Sequence, residues 1–424
     1  MEYREVQDGS VSSMEYNELD VLGFIESCLC QEEGERIIFE FDHQLGFQAD
    51  AYLPMGCSKL SIPKEAYVEI IQNMPQNVLS LIKDSKSLKV TRILIVTKNL
   101  GSSFSKLSKA RYKHIRFKSF AAWIKKFKIL RLGYSIFSRY YGKYNSIIEQ
   151  QAISSIKNNR VTLFVGAGLG SSLHLPDWNG LLSKAYLATT QLVQEADIDL
   201  VCNNDPLIKA GFLLGDIGET GISIIEKELY PVGFASKTSP LLDAICSSVK
   251  KYRDSIDSII TYNYDDYIER ELRSKGVPCE SVFKGIRAGK KFPIYHVHGY
   301  LSSVKGEKSS SKGEIVLTER KYHEVFNKAY SWVNVEQYHA LSRNTCLFIG
   351  MSMTDPNVRR LLDAVLSESS GNDVYVIMSR ETKTGQYSQD QQYVFNSTMW
   401  NLGVKVIWCE KHADVPVLIQ RLFI

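Results

Sequence analysis

Cysteine pairs of the kind that hold a tetrahedral zinc ion are missing from this chain. Its eight cysteines are Cys28, Cys30, Cys57, Cys202, Cys246, Cys279, Cys346 and Cys409, and no two of them stand in a C-x-x-C spacing. Their scatter through apolar contexts such as Thr345-Cys346-Leu347 points to buried thiols in a reducing compartment, not to a disulfide scaffold. Also missing is any run of the roughly 18 to 20 apolar residues that a membrane-spanning helix needs. Residues 1–16 are polar and acidic, with no apolar stretch for export. The expectation is a soluble, cytoplasmic protein without membrane contact. Acid is absent from one long segment, because residues 101–148 hold Lys106, Lys109, Arg111, Lys113, Arg116, Lys118, Lys125, Lys126, Lys128, Arg131, Arg139 and Lys143 but no Asp or Glu. All 47 acidic residues therefore lie elsewhere, and a net charge of only +4 conceals a basic segment on a mildly acidic body. No stretch is rich enough in Gly, Ser or Pro to serve as a long linker, and no internal repeat is present.

At 424 residues and 44% apolar, the chain has room for about two or three domains of ordinary size. Composition divides it into an accessory α/β or α+β domain at 1–100, a basic, aromatic-rich helical connector at 101–150, and a larger domain at 151–424. In the first part, 36–41 and 48–53 read as paired strands, 63–74 as a helix opened by Pro63, and 91–97 as a buried strand. Asp50 and Glu69 resemble the metal-binding carboxylates of a nuclease core. Ile71 occupies the place where such a core needs a lysine, so a structural or partner-binding role is expected of this domain. The connector interleaves its cations with Tyr112, Phe117, Phe120, Trp123, Phe127, Tyr134, Phe137, Tyr140 and Tyr141. Cations with rings suit single-stranded nucleic acid. They also suit an amphipathic helix whose rings enter a core while its lysines reach outward, and that reading is favoured. Docking onto an acidic partner surface lies between the two.

From about residue 145 the pattern becomes short apolar strands alternating with helices. Val161-Thr162-Leu163-Phe164-Val165 runs into Gly166-Ala167-Gly168-Leu169-Gly170-Ser171-Ser172, a buried strand turning into a helix through glycines, as dinucleotide cradles do. The full G-x-G-x-x-G spacing would need glycine at Ser171. Glycine-studded helices over 206–251 form a helical insertion. A strand over 258–262 leads to Asn263 and a helix from Asp265, and a strand over 294–297 delivers His298 and Gly299. Strand 345–349 leads to Gly350 and Ser352, and further strands at 374–378 and 404–408 alternate with helices. This alternation predicts a Rossmann-like, doubly wound parallel sheet with a helical insertion, beside the smaller N-terminal domain. Each glycine- or histidine-bearing block falls at the carboxyl end of a strand, where such sheets bind ligands. Read singly, the residues have plainer roles: Asn263 or Ser352 as a helix cap, Asp265 as a first-turn acid, His298 as a structural hydrogen-bonder. His296, two residues before His298 on the same strand face, is read as the structural histidine of the two.

Taken together, Gly166-Ala167-Gly168 with Pro176-Asp177-Trp178, Thr261-Tyr262-Asn263-Tyr264-Asp265, His298-Gly299 and Gly350-Met351-Ser352 resemble the sirtuin family (silent information regulator family) across residues 155–424. That resemblance implies cleavage of the nicotinamide–ribose bond of NAD. Asn263 and His298 would be catalytic, with Asn263 orienting the ribose or an attacking water and His298 taking up a proton. Gly166, Ala167, Gly168, Asp177, Asp265, Gly350 and Ser352 would bind the cofactor, Asp265 at the nicotinamide carboxamide. Protein-deacylating sirtuins carry two C-x-x-C pairs between the H-G and G-x-S blocks, whereas this interval contains only Cys346, so no zinc is expected and a peptide cleft is in doubt. Gly170 replaces a serine of the first block and Asn179 an arginine. Water is then the expected acceptor, which makes the chain an NAD glycohydrolase. A zinc-less sirtuin-like domain with an added domain is similar to bacterial anti-phage defence proteins that deplete NAD once a partner or ligand switches them on. Homo-oligomerisation and a hexameric DNA-translocating ATPase partner are implied in the same way. The alternatives are an enzyme that transfers ADP-ribosyl or acyl groups on protein, and a non-enzymatic NAD sensor that binds DNA or an ATPase.

Overall fold

The computed structural model describes residues 21–22, 24–25, 28–29, 34, 36–43, 47–71, 86, 88–96, 115–119, 123, 133–187, 194–202, 205–214 and 219–424, apart from 288, 305, 312–313, 369–372 and 383–384. The chain divides into two compact units, one of residues 1–147, 367–370 and 388–401 and the other of 148–366, 371–387 and 402–424.

In the first unit, β1 (Ile38–His43), β2 (Phe47–Leu53), β3 (Ala66–Ile71), β4 (Thr91–Val96) and β5 (Ile115–Ser119) form one sheet in that order. The β1–β2 and β2–β3 pairings are antiparallel, while β3–β4 and β4–β5 are parallel. Its core collects Ala51, Leu53, Val68, Ile93 and Ile95 with Phe24, Ile25 and Trp123, and the Phe24 and Trp123 rings lie 5.7 Å apart. Two expectations are corrected. The helix over 63–74 is strand β3, because Tyr67, Val68, Ile70 and Ile71 are strand formers and the segment gains a full parallel ladder with β4. The connector at 101–150 is not wholly helical, since β5 lies inside it and pairs with β4; its hydrogen bonds outweigh the helical reading of the basic pattern. Other parts of that segment, including 120–122 and 124–132, lie outside the described residues.

Arg92 is buried beside Glu69, with Nη1 3.5 Å from Oε1, and the Ile70 N–H donates to Asp50 at 2.5 Å. Burial, with Asp50 nearby, pushes the Glu69 carboxyl up to about 8, against the pull of Arg92. A guanidinium thus stands where a nuclease-like reading would look for a metal ion.

Helix α1 (Gly133–Asn158) begins in the first unit and continues from residue 148 in the second, where it leads to β6 (Val161–Val165), and a short α2 (Gly168–Ser172) follows. The helical insertion comprises α3 (Trp178–Leu187), α4 (Glu195–Val201), α5 (Pro206–Leu214) and α6 (Glu219–Leu229). Buried Lys209 ties α5 to α4 through Glu195 at 2.8 Å and Asp199 at 2.7 Å. Helix α7 (Pro240–Lys251) starts at the Ser239 cap, with proline at its first position. Then come β7 (Ile256–Thr261), α8 (Tyr267–Ser274), β8 (Cys279–Val282), β9 (Phe292–His296), α9 (Glu319–Asn327) and α10 (Trp332–Arg343). The chain continues through β10 (Thr345–Ile349), α11 (Pro356–Glu368), β11 (Val374–Ser379) and the small pair β12 (Glu381–Thr382) and β13 (Gly385–Gln386). Helix α12 (Gln389–Trp400), which belongs to the first unit, precedes β14 (Val404–Cys409) and α13 (Val415–Leu422).

Seven strands in the order β14-β11-β10-β6-β7-β9-β8 make a wholly parallel sheet. Every residue of β6 and β10 is buried, as expected where helices cover both faces, and Phe164 stacks on Phe348 with centroids 4.4 Å apart. From β6 the chain moves outward through β7 to β8 and β9, then returns to place β10 on the other side of β6. The sheet order therefore reverses between β6 and β10, which opens a crevice at their carboxyl ends.

Candidate active site

Ile349, Val165, Thr261 and His296 are register partners across β10, β6, β7 and β9, so four neighbouring strands end at one level. Just past it, the Gly166 N–H donates to the Ile349 carbonyl (3.0 Å), Tyr262 N–H to Val165 (3.1 Å) and Val297 N–H to Thr261 (3.1 Å). Asn263 and His298 each stand two residues beyond the paired Thr261 and His296, on adjacent strands. The register of a parallel sheet thus brings the two predicted catalytic residues to one edge.

The glycine turn is shaped by the loop opposite. A Cβ on Gly166 would stand 2.5 Å from Met351 Cγ and 2.7 Å from the Gly350 carbonyl oxygen, and one on Gly168 would lie 2.6 Å from Gly350 Cα. Gly350 itself has φ +64°, and Gly168 donates its N–H to the Gly350 carbonyl at 2.8 Å. The N–H groups of Gly166, Gly168 and Leu169 all donate to protein carbonyls. The glycines are needed for the two turns to touch across the switch point, a tighter reason than the expected approach of a phosphate.

Asn263 is held by its backbone. Its N–H donates to Thr261 Oγ1 at 3.1 Å and its carbonyl accepts from His296 Nδ1 at 3.0 Å. Its side-chain Nδ2 is buried and has no partner among the described residues. An amide donor left unpaired inside a protein costs on the order of 1–3 kcal/mol, and the cost vanishes when a ligand oxygen accepts from it.

His298 sits in an aromatic surround. Tyr262 meets its ring edge-on at 4.9 Å and Tyr322 at 5.2 Å, its carbonyl accepts from Val316 N–H at 2.8 Å, and Nε2 stands 3.8 Å from Asp355 Oδ2. Tyr262 is anchored by donating its hydroxyl proton to Gln337. The Tyr322 hydroxyl donates to Asp355 Oδ2 at 2.9 Å, and Asp355 Oδ1 caps α11 by accepting from Asn357 and Val358 N–H at 2.9 and 3.0 Å. Burial lowers the pKa of His298, with Asp355 acting against it, so the imidazole is neutral at pH 7.

The other predicted residues are placed variously. Asp265 is buried; its Oδ1 accepts from Tyr267 N–H at 3.3 Å, and burial pushes its carboxyl up to about 6. Asp177 accepts from Gly180 N–H at 2.8 Å and so serves the start of α3. Ser352 is exposed and shares a hydrogen bond with Thr354 at 2.7 Å. The cap of α11 is Asp355, not Ser352. Four residues near the edge escaped the sequence reading in these roles: Tyr262, Tyr322, Asp355 and Glu269, which pairs with His296. Asp355 beside Pro356 carried a cap signal, whereas the others are made neighbours only by the sheet.

Among the described residues, no group of three His, Cys, Asp or Glu side chains is placed to hold a metal ion, and no helix is long and apolar enough to cross a membrane.

Residues 257–399 match the SIR2-like domain family, a span that includes Asn263, His298 and Gly350. Among particular relatives, it is 21% identical over 290 residues to NAD(+) hydrolase ThsA of Acinetobacter baumannii (strain 532279), covering 65% of this chain and 55% of that protein. It is 23% identical over 225 residues to Defense-associated sirtuin 2 of Bacillus subtilis, covering 52% of this chain and 21% of that protein. The chain thus spans about half the length of the ThsA relatives it matches. A solved structure of a Sir2 homolog–NAD complex aligns with a TM-score of 0.35 at 13% identity, over 64% of this chain and 93% of that one.

Proposed function

We propose that this protein is an NAD glycohydrolase that breaks the nicotinamide–ribose bond and passes the ADP-ribosyl group to water. The observation that carries this reading is the unpaired, buried amide of Asn263 at the same sheet edge as His298, beside the turn of Gly166, Ala167 and Gly168. NAD would lie along this edge as substrate, its sugar against Asn263 Nδ2. A neutral His298 is ready to accept a proton from water or a ribose hydroxyl as positive charge builds on the sugar. The Asp355 carboxylate then faces the imidazolium that results and lowers the cost of its charge. Asp265, as the nicotinamide-carboxamide residue, and Asp177, Gly350 and Ser352, as cofactor contacts, belong to this proposal.

The names of the relatives, an NAD(+) hydrolase and a defence-associated sirtuin, support a role in anti-phage defence by depletion of NAD. We extend the proposal to a cytoplasmic homo-oligomer with accessory, connector and catalytic parts at 1–100, 101–150 and 151–424. In that assembly a hexameric DNA-translocating ATPase or nucleic acid engages the basic segment 101–148 and switches the activity on.

The test is to incubate the full chain with NAD and follow nicotinamide by chromatography, beside Asn263→Ala and His298→Ala. Release of nicotinamide and ADP-ribose by wild type, and loss of at least about 100-fold in either variant, is the expected result. NAD left intact with DNA and ATPase partners present overturns the reading, and label from NAD retained on protein replaces hydrolysis with transfer.

A further inference from the structure

One buried pair near the sheet edge has no part in the reaction above. His296 and Glu269 are both fully buried, with Nε2 2.7 Å from Glu269 Oε1. Ser281 donates a second hydrogen bond to the same oxygen at 2.8 Å, while Glu269 Oε2 has no partner among the described residues. Taking such a pair out of water is costly, and apolar residues of similar size would fill the space at least as well. Packing alone therefore gives no reason for it.

Its connections supply one. The other ring nitrogen, Nδ1, lies 3.0 Å from the Asn263 carbonyl. A carbonyl oxygen can only accept, so Nδ1 carries a proton whatever the state of Nε2, and the ring orientation is fixed at both ends. Glu269 lies on α8 and His296 ends β9, so the pair links helix, strand and the turn bearing Asn263. Neighbouring residues of that turn are tied down elsewhere, Tyr262 to Val165 and Tyr264 to Leu301, but among described hydrogen bonds Asn263 itself uses only the Thr261 hydroxyl and this imidazole.

We propose that Glu269 and His296 are positioning residues that fix the Asn263 backbone, and through it aim the Asn263 side-chain amide at the crevice. This rests on the reading of Asn263 as the residue that meets the NAD sugar. The arrangement follows the logic by which an outer carboxylate orients a working histidine, displaced by one residue: the carboxylate sets the imidazole, and the imidazole sets the amide. Burial works against a charged His296, and the Glu269 carboxylate overcomes it, so the ring holds its second proton more firmly than an ordinary histidine.

The experiment uses the full chain with Glu269→Gln, Glu269→Asp, Asn263→Ala and the double variant Glu269→Gln/Asn263→Ala. Glu269→Gln is expected to lower kcat by about 10- to 100-fold with KM changed less than about threefold, and Glu269→Asp, which keeps the charge, to recover part of the loss. In the Asn263→Ala background the Glu269→Gln loss is expected to vanish, because residues acting through one another do not add. A loss that multiplies with that of Asn263→Ala, or an unchanged kcat, overturns the proposal. Hydrogen exchange read by mass spectrometry gives a second readout that needs no turnover. Glu269→Gln should speed exchange in peptides covering 262–268 and leave those covering 161–165 as in wild type. Unchanged or uniformly faster exchange overturns the positioning role. A wild-type protein that leaves NAD intact but shows the local exchange change refutes the NAD reading alone.

Discussion

At the scale of single residues, burial sets the chemistry of the edge. Asp265 is inside the protein, and its carboxyl rises to about 6 because burial penalises the charged form more than the Tyr267 N–H and His296 relieve it. The folded state then holds a proton that the unfolded state has released once pH passes the ordinary range near 4. Stability contributed by this group is thus present at low pH and falls as pH rises from about 4 to about 6, and the full cost, on the order of 2–3 kcal/mol, is felt above that. Asp265→Asn keeps an oxygen for the Tyr267 N–H and removes the cost. It should raise Tm at pH 7.5, and the gain over wild type should shrink as pH falls through 6 toward 4 in a thermal-melt series. A gain of equal size at every pH would show that ionisation of Asp265 is not its source. NAD cleavage should fall in the same variant, which is the exchange of stability for function that buried acids at working sites exhibit.

At the scale of elements, the two turns at the switch point are a single packed unit. Gly168→Ala would push a methyl to within 2.6 Å of Gly350 Cα, backbone against backbone, with no flexible side chain to yield. The expected loss is about 1–3 kcal/mol in urea unfolding, with NAD cleavage falling as the β6 and β10 turns separate. Gly170→Ala, whose Cβ would meet only Leu175 at an ordinary 3.8 Å, is the control and should change stability by less than about 0.5 kcal/mol. The difference between these glycines could not be read from the chain, where each is one more glycine in a turn. What could be read was governed by apolar composition: β6, β7, β9 and β10 each centre on a cluster of apolar residues and fell within a residue or two of their observed bounds. Strand β3 was missed because Pro63 and Glu65 mimic a helix start, and the decisive fact, a partner in β4, lies 25 residues away. Strand β8, an edge strand of four residues, is too short to show a period. The same limit hid the Glu269–His296 pair, since separations of that kind become contacts only once the strand order is known.

At the scale of the whole molecule, the cysteines serve as internal reporters of how the two units hold together under stress. Cys28 and Cys57 belong to the core of the first unit, whereas Cys202, Cys246, Cys279, Cys346 and Cys409 are buried in the second. None of these seven is in a disulfide, and burial pushes Cys279 up to about 11 and Cys409 to about 12, so little thiolate exists at those two near neutral pH. Thiolate is the reactive form, and both its scarcity and its enclosure must be lifted before an alkylating reagent can act. Brief pulses of iodoacetamide along a urea gradient, read by peptide mass spectrometry, should leave these seven unlabelled in the native protein. Label should then appear in one step at Cys246, Cys279, Cys346 and Cys409, because they share one continuous sheet and a helix beside it, whereas Cys202, at the end of α4 in the helical insertion, is free to follow its own course. Cys28 and Cys57 should follow a curve of their own, since their sheet has its own core and a chain of two such units need not unfold as one two-state system. A single curve through all seven would mean that the units unfold together, and labelling of Cys246 or Cys346 without urea would mean that the second core is open in the native state.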